Sequence, residues 1–398
     1  MIQRSHSYIQ VVSIPAEDEV FGLLRGVVDP ELGADIVTLG MAKGVEIDEG
    51  GVATITVALT TAGCPLRAQI QRDVKTRVAS LPGITKVAIR WTELTQEEKA
   101  TTMATARKRI AEQPPDTAVP NTTRVLMIAS GKGGVGKSSV TVNLAAALAA
   151  QGLAVGIIDA DIWGFSVPRM LGVSGRLEGG TGGKMQPNSL NVGTGRIDVV
   201  SMGFLVDAEE TALMWRGLIL QRAVQHFLED VDWAPDLAYL LIDMPPGTGD
   251  VQMGLAKLLP RAEMIVVTTP SRSAQKVAIR SVNMARKNFL RVAGVVENMA
   301  AYVAPDGSSH EIFGSGGGRE LADDAGVSLL AQIPIESAVA AGGDTGHPIA
   351  LGDGPAAEAF RALAQLIVSD IAPPTDLAGC SVRMLSAMDA ALAAADAG

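Results

Sequence analysis

The stretch from Gly131 to Ser138, GKGGVGKS, decides the fold of this chain. It matches G-x-x-x-x-G-K-[S/T], follows an apolar run at 125–129, and opens a helical stretch near Ser139. Glycines let successive backbone N–H groups point into one concavity, where they and the helix N-terminus hold phosphate oxygens. The alternative is a glycine-rich turn without a ligand, and the strand, loop and helix context argues against it. The stretch therefore predicts a phosphate-binding loop for a nucleotide.

The polar residues of this loop have expected tasks. Lys137 is expected to reach the β and γ phosphates and to act in catalysis, and the Ser138 hydroxyl is expected to bind Mg²⁺. The residues expected to contact the nucleotide are Gly131, Lys132, Gly133, Gly134, Val135, Gly136, Lys137, Ser138 and Ser139.

Two further apolar runs end in carboxylates. Asp159 and Asp161 close one run, and Asp243 closes another ahead of a Pro- and Gly-rich stretch. Open α/β sheets bind ligands at the carboxyl ends of their strands, so these acids are expected to converge on the loop. We expect Asp159 and Asp243 to hold Mg²⁺, directly or through water, and Asp161 to orient or activate the attacking water. A helix cap is the alternative for Asp161 and Asp243. Taken with the loop, the acids favour ATP or GTP hydrolysis.

Apolar runs alternate with helical stretches from Arg124 to about Ala372. Short apolar runs of this kind are typical of parallel strands that are buried on both faces. The pattern predicts an α/β domain with a doubly wound, mostly parallel sheet. The expected strands lie at 125–129, 155–158, 197–201, 239–242, 265–268 and 294–297.

A smaller α+β domain is expected at residues 16–94. Apolar residues at helical spacing predict a helix from Val20 to Val28, ended by Asp29-Pro30-Glu31, because a residue before proline is pushed out of the α region. Its strands are expected at 45–47, 52–59 and 84–91, with a second helix from about Pro65 to Ala79.

The remaining stretches are expected to join and end these domains. Residues 95–121 are polar and proline-containing, which predicts a linker with a solvated helix over 96–112. The ATPase domain is expected at 122–372, and an Ala-rich tail at 373–398.

Composition and charge restrict the classes of partner. The chain has 398 residues, of which 47% are hydrophobic and 19% are charged, so it is not a disordered chain. Its 33 Lys and Arg against 43 Asp and Glu give a net charge of -10. Because phosphate neutralisation needs a surplus of basic residues, we expect no nucleic-acid partner.

No membrane partner is expected either. The apolar run 140–158 is interrupted by Asn143, Gln151 and Gly152, so a buried helix, a turn and a buried strand explain it better than a membrane span. The tail has Arg383 as its single basic residue, which is too few for a helix on a membrane surface. Residues 1–13 lack the apolar core of a signal peptide, and two cysteines exclude a disulfide framework, so a cytoplasmic setting is expected.

The second lysine of the loop, Lys132, carries a resemblance to a known family. With it, the stretch from Gly131 to Ser138 resembles the deviant Walker A motif of the ParA/MinD-type ATPases. The resemblance implies a homodimer with ATP at its interface, in which Lys132 reaches the partner's phosphates and offsets the charge that develops during transfer. A solvated lysine is the alternative.

Longer stretches resemble the Mrp/ApbC group of iron–sulfur cluster carrier ATPases over residues 16–372. The resemblance implies slow, Mg²⁺-dependent ATP hydrolysis, transfer of an iron–sulfur cluster to client or assembly proteins, and reading of the adenine by Asn298. The stretches that carry it lie at 159–168, 243–250, 294–299, 314–318 and 332–334, and at 29–32, 35–40 and 60–66 in the small domain.

The chain departs from this group at the expected cluster site. Carriers of the group typically hold a bridging cluster with a C-x-x-C pair shortly after the segment that here reads Glu297-Asn298-Met299, and residues 298–310 contain no cysteine. Thiolates are the usual cluster ligands because they are soft and anionic. Asp306 and His310 are a metal-binding alternative, against ordinary surface residues. The departure favours a second hypothesis, an ATPase switch or scaffold that holds no cluster.

Cys64 is the remaining candidate cluster ligand. It lies at an expected helix N-terminus, where the helix dipole lowers a thiol pKa, and the small domain of the group has a cysteine in the matching place. A small buried hydrophobe is the alternative. Cys380, in the tail, is expected to be incidental.

Overall fold

The computed structural model describes residues 14–29, 32, 34–60, 66–99, 101–102, 105, 117–161, 164–180, 183–205, 217–247, 249–304 and 308–375. The small domain contains α1 (Glu17–Leu24), β1 (Val28–Asp29), β2 (Ala34–Asp35), β3 (Ala42–Ile47), β4 (Val52–Leu59), α2 (Arg67–Val78) and β5 (Lys86–Glu93).

The described part of the small domain contains a three-stranded sheet, the antiparallel pair β1-β2 and two helices. The strand order is β3-β4-β5, with β3 antiparallel and β5 parallel to β4. Helix α2 buries Ile70, Val74 and Val78, which lie four residues apart on one face, against the inward side chains of β4. The domain therefore has a hydrophobic core of its own.

The first helix is shorter than the sequence predicted. It ends at Leu24, and Val28 begins β1. The cause is tertiary: a Cβ at Gly26 would collide with the Arg77 guanidinium and with the Pro260 carbonyl oxygen, so the chain turns there at a close approach to the large domain. The expected helix end at Asp29-Pro30-Glu31 was therefore wrong.

The large domain begins with β6 (Arg124–Ser130). The elements after it are α3 (Lys137–Ala149), β7 (Ala154–Asp159), α4 (Val167–Met170), β8 (Glu178–Gly179), β9 (Met185–Gln186), β10 (Asn188–Val192), β11 (Gly195–Ser201), α5 (Gly217–Glu229), β12 (Tyr239–Asp243), α6 (Asp250–Leu258), β13 (Glu263–Thr268), α7 (Arg272–Lys287), β14 (Arg291–Val303), β15 (Ser309–His310), α8 (Gly317–Ala325), β16 (Leu329–Ile335), α9 (Ser337–Thr345) and α10 (Pro355–Leu366).

Nine strands form one sheet in the order β10-β11-β7-β12-β6-β13-β14-β15, with β16 also paired to β14. The strands from β11 to β14, and β16, run parallel, whereas β10 and β15 pair antiparallel. The doubly wound, mostly parallel fold is confirmed, together with the smaller N-terminal domain.

The two faces of this sheet bury separate hydrophobic cores. Along β6, Met127 lies in the core covered by α5, α6, α7 and α8, whereas its neighbours Leu126 and Ile128 lie in the core covered by α3 and α10. Successive side chains of a strand point to opposite faces, so a strand buried on both faces is apolar throughout.

The apolar run 140–158 divides between α3 and β7, with a turn at 150–153. Among the described residues, no helix is long and apolar enough to span a membrane.

Both ends of the stretch 95–121 pack against a domain. The Thr102 hydroxyl donates a hydrogen bond to the Leu39 carbonyl oxygen at 3.0 Å in the small domain, and Val119 is buried in the core of the large domain. Residues 96–99 are helical, and the rest of the expected helix lies partly outside the described residues.

Candidate functional site

The glycine-rich loop connects the end of β6 to the start of α3. Gly134 has φ +79° and Gly136 has φ +80°, a left-handed backbone that favours glycine. Gly131 is needed for a different reason: a Cβ at this position would collide with the backbone of α7 at Ala278. The motif glycines therefore set both the shape of the loop and its contact with the neighbouring helix.

The loop encloses a cavity of about 240 Å³. The cavity faces the carboxyl edge of the sheet, because β6 and β7 both end beside it. Its lining residues are Ser130, Lys132, Gly133, Gly134, Val135, Gly136, Lys137, Ser138, Ser139, Asp161, Gly164, Ser166, Met170 and Pro246. Of the residues expected to contact the nucleotide, Gly131 and Asn298 do not line it.

Lys137 lies between two carboxylates at the base of the cavity. Its Nζ is 2.8 Å from Asp243 Oδ1 and 3.7 Å from Asp161 Oδ2, and the Lys137 and Asp243 side chains are buried. Burial raises the pKa of Asp161, while the Lys137 ammonium opposes that rise. The structure thus brings together the expected lysine and two of the three expected acids.

Asp243 also binds two hydroxyls of α3. The Ser138 hydroxyl donates to Asp243 Oδ2 at 2.5 Å, and Thr141 Oγ1 is 2.8 Å from Oδ1. Sequence reasoning missed Thr141, although it follows Lys137 by four residues and so lies on the same face of the helix. The Ser138 hydroxyl and the Asp243 carboxylate are adjacent oxygen donors, the type that Mg²⁺ prefers, so these residues fit a Mg²⁺ ion.

Asp159 is fully buried and holds the segment that carries Asp161. Its carboxylate accepts hydrogen bonds from the backbone N–H groups of Asp161, Ser166 and Val167 at 3.1–3.2 Å and from the Ser201 hydroxyl at 3.2 Å. Burial and then the nearby Asp243 carboxylate raise the pKa of Asp159. Its observed contacts anchor the segment after β7, and its role as a Mg²⁺ ligand stays a prediction.

Asn298 braces the loop from the neighbouring strand β14. Its Nδ2 donates to the Val135 carbonyl oxygen at 2.9 Å, and a Cβ at Gly136 would collide with the same amide nitrogen. The next residue, Met299, has φ +56°, which is uncommon for a side chain of this size. Reading of adenine by Asn298 stays a prediction.

Glu297 connects the same strand to a second glycine-rich turn. Its carboxylate accepts hydrogen bonds of 2.6 Å from the Gly318 backbone N–H and from Gln332 Nε2. No local sequence pattern indicates this contact, because the three residues are far apart along the chain.

Of the remaining candidates, only His310 lies among the described residues. Cys64, Cys380 and Asp306 lie outside the described residues. His310 stacks on Tyr302, with ring centroids 6.4 Å apart, and its Nε2 is 3.0 Å from the Ser308 hydroxyl. Among the described residues, no three His, Cys, Asp or Glu side chains are grouped so as to hold a metal ion.

Lys132 lines the cavity and is half-buried. Its expected contact is with a partner subunit, so that role stays a prediction.

Two family models match the chain. Residues 121–368 match the family described as NUBPL iron-transfer P-loop NTPase, and residues 17–91 match the family described as iron–sulfur cluster assembly protein.

Relatives cover most of the chain. A protein of Mycobacterium leprae named iron–sulfur cluster carrier protein is 42% identical over 335 residues, which cover 82% of this chain and 86% of the relative. A protein of the same name from Synechocystis is 39% identical over 361 residues, which cover 89% of this chain and 97% of the relative.

A solved structure of a nucleotide-binding protein from Archaeoglobus fulgidus in complex with ADP is similar to the large domain. It is 32% identical, covers 64% of this chain and 96% of its own, and superposes with a TM-score of 0.52. The glycine-rich loop, the buried lysine with its two carboxylates, and these matches agree with one another, and the chain belongs to the NUBPL iron-transfer P-loop NTPase family.

Proposed function

We propose that this protein binds ATP with Mg²⁺, hydrolyses it slowly, and uses the cycle to carry an iron–sulfur cluster to client or assembly proteins. The observation that carries the ATPase part is the contact of Lys137, Ser138 and Asp243 at the base of the loop cavity. The cargo is proposed from the names of the relatives and from the two family models.

Binding of the triphosphate requires Lys137 to exchange partners. The lysine ammonium now pairs with Asp243, and it turns to the β and γ phosphates when they enter the loop. The backbone N–H groups of the loop and the N-terminus of α3 hold the same oxygens. Ser138 and Asp243 would hold Mg²⁺, which would supply positive charge beside the phosphates.

Asp161 then orients the attacking water. It lines the cavity, and Asp159 fixes the backbone on which it stands. Burial raises the pKa of the Asp161 carboxyl. A carboxylate with a raised pKa is a stronger base and accepts a proton from water more readily. Phosphate release measured with and without Mg²⁺ tests the assignment of Ser138 and Asp243 to Mg²⁺. Hydrolysis that continues at the same rate in excess chelator would refute that assignment.

We propose a homodimer with ATP at the interface, in which Lys132 reaches the partner's phosphates. Lys132 lines the cavity and is only half-buried, so part of its side chain is accessible to a second subunit. Light scattering is expected to show dimers with ATP and monomers without nucleotide. Lys132→Ala is expected to lower hydrolysis, and full activity of that variant would remove the proposed role.

Cys64 is the thiol that the proposal assigns to the cluster. One thiolate per subunit gives two in a dimer, so other ligands must complete the site. Anaerobic reconstitution with iron and sulfide is expected to give cluster absorbance that is lost in Cys64→Ala and kept in the matched control Cys380→Ala. Equal absorbance in both variants would reject Cys64 as a ligand.

The second candidate function is an ATPase switch or scaffold that holds no cluster. The absence of cysteine from residues 298–310 favours it. The same reconstitution separates the two functions, because a scaffold would dimerise with ATP and yet gain neither iron nor sulfide.

A further inference from the structure

Three parts of the chain meet at the amino-terminal edge of the large sheet. They are helix α2 of the small domain, the first residues of β6, β12, β13 and β14, and residues 371–375, which begin with the last residue of the final helical turn. Strand β6 begins at this edge and ends at the phosphate loop, so the junction and the nucleotide cavity lie at opposite edges of the sheet.

One stripe of α2 contacts the large domain. Gln69, Asp73 and Arg77 are four residues apart and therefore share a face of the helix. The Asp73 carboxylate accepts hydrogen bonds of 3.1 and 3.2 Å from the Arg124 guanidinium, and Arg77 Nη2 donates to the Arg261 carbonyl oxygen at 2.5 Å. This stripe is next to the apolar one that fills the core of the small domain.

Residues 371–375 lie between the two domains and are bound mainly through their backbone. Three consecutive carbonyl oxygens accept hydrogen bonds: that of Ile371 from Arg291 at 3.0 Å, that of Ala372 from the Tyr239 hydroxyl at 2.7 Å, and that of Pro373 from Arg124 Nε at 2.8 Å. On the other side, Gln69 Nε2 of α2 donates to the Thr375 hydroxyl at 3.4 Å.

The same side chains hold this segment and the small domain. Arg124 binds Pro373 with Nε and Asp73 with its two terminal nitrogens. Glu263 pairs with Arg291, which binds Ile371, and lies 3.9 Å from Arg77 of the small domain. Removing the segment therefore takes hydrogen-bond acceptors from Arg124 and Arg291, and Arg124 is the residue that binds Asp73 of α2.

We propose that residues 371–375 act as a strap that holds the small domain in its docked position, and that loss of the strap contacts releases this domain from the large one.

The charges at the junction explain why docking needs the strap. Three arginines, Arg77, Arg124 and Arg291, face two carboxylates, Asp73 and Glu263. Within the described part of the chain, Arg77 Nη1 and Arg261 Nε are buried without a hydrogen-bond partner. A buried cation that is incompletely paired opposes docking, and the strap carbonyls accept hydrogen bonds from Arg124 and Arg291, the two arginines that pair with Asp73 and Glu263.

Two truncated chains test the strap. One ends after Asp370 and lacks it, and the other ends after Thr375 and keeps it while losing the same Ala-rich tail. Small-angle scattering is expected to give the longer chain a radius of gyration close to the compact value of about 21 Å. The shorter chain is expected to be larger by several ångströms. Equal radii for the two chains would overturn the proposal.

Two substitutions in the full chain keep the test decisive if the shorter chain fails to fold. Tyr239→Phe removes the donor to the Ala372 carbonyl and keeps the ring, so it is expected to increase the radius of gyration. Asp73→Asn is expected to release α2 from Arg124, whereas the exposed Lys75 on the same helix serves as the control in Lys75→Ala. An extended Asp73→Asn chain shows that the measurement detects a released α2, and a Tyr239→Phe chain with full-length dimensions would reject the strap.

A role for release of the small domain in cluster transfer rests on the proposed function, since this domain matches the iron–sulfur cluster assembly protein family. The docking test uses neither nucleotide nor iron. ATP hydrolysis is expected to be unchanged in all these variants, because the cavity lies at the other edge of the sheet. A failure of the ATPase or cluster proposals therefore leaves the strap result intact, and the reverse also holds.

Discussion

At the scale of single residues, Lys137 pairs with Asp243 and is proposed to bind the phosphates of the nucleotide in its place. Its ammonium is buried and pairs with Asp243 at 2.8 Å. A buried lysine is stable only with such a partner, and the incoming phosphates must offer at least the same electrostatic stabilisation.

Replacement of Lys137 is expected to abolish the activity. Lys137→Ala removes the cation that neutralises the transferred phosphate, so hydrolysis should fall at least about a hundredfold. The exposed Lys287 at the end of α7 provides the control, and Lys287→Ala should hydrolyse ATP like the parent. Phosphate release measures both, and an active Lys137→Ala protein would reject the site.

Replacement of Asp161 is expected to separate binding from hydrolysis. Asp161→Asn keeps the size of the side chain but removes the base, so turnover should fall by about 10²–10⁴ while nucleotide affinity is retained. Asp323→Asn, at an exposed position of α8, is the control. Titration with a fluorescent ATP analogue and a turnover assay give the two quantities, and unchanged turnover would assign Asp161 to a structural cap.

The residues of the site were predictable only where the signal is local. The spacing within the loop predicted Lys137 and Ser138, and the ends of two apolar runs predicted Asp161 and Asp243. Two other contacts depend on the order of strands in the sheet, which no local sequence pattern indicates. They are the contact of Thr141 with Asp243 and that of Asn298 with the loop.

At the scale of elements, the turn from β6 into α3 depends on Gly136. Its backbone is left-handed and its missing Cβ leaves room for the Asn298 amide. Strand β14 and the loop are thereby in direct contact, which ties the shape of the loop to a strand from a distant part of the chain.

Two glycines of the loop, Gly133 and Gly136, are expected to differ in their tolerance of alanine. Gly136→Ala combines a left-handed backbone, which costs about 1–2 kcal/mol, with a collision against Asn298, so ATP affinity and melting temperature should both fall. A Cβ at Gly133 meets no atom within 4 Å, and this position has no positive φ, so Gly133→Ala should melt like the parent. Equal melting temperatures would contradict this account.

Elements buried on both faces were predicted well, and elements at edges were not. The six expected strands correspond to β6, β7, β11, β12, β13 and β14. Edge strands such as β10 and β15 alternate or are very short, so they lack a continuous apolar run. The end of α1 was misplaced because a contact with the large domain, at Gly26, determines it.

At the scale of the whole molecule, Glu263 is the carboxylate on which the junction depends. It pairs with Arg291 at 2.5 Å and lies 3.9 Å from Arg77, and all three side chains are buried. Two cations from two domains therefore share one acid.

Removal of Glu263 is expected to destabilise the protein strongly. Glu263→Ala leaves Arg77 and Arg291 without this carboxylate, and breaking a buried pair typically costs about 3–5 kcal/mol. The midpoint of urea unfolding measures the effect, with Glu178→Ala, at an exposed position, as the control. A midpoint shared by both variants would show that water or other acceptors already neutralise the arginines.

The placement of the two domains was beyond sequence reasoning. The stripe Gln69, Asp73 and Arg77 has the composition of a solvated helix face, and nothing along α2 distinguishes it from one. Its partners lie more than fifty residues away along the chain, at strand starts that the apolar pattern identifies only as boundaries.

Strand β6 provides a fixed internal distance within the molecule. It has seven residues, so its ends are about 20 Å apart, and it is hydrogen-bonded on both sides to β12 and β13. A strand held in this way does not stretch. Probes placed beside its two ends should therefore report one constant separation in every nucleotide state, against which movements of the small domain can be calibrated.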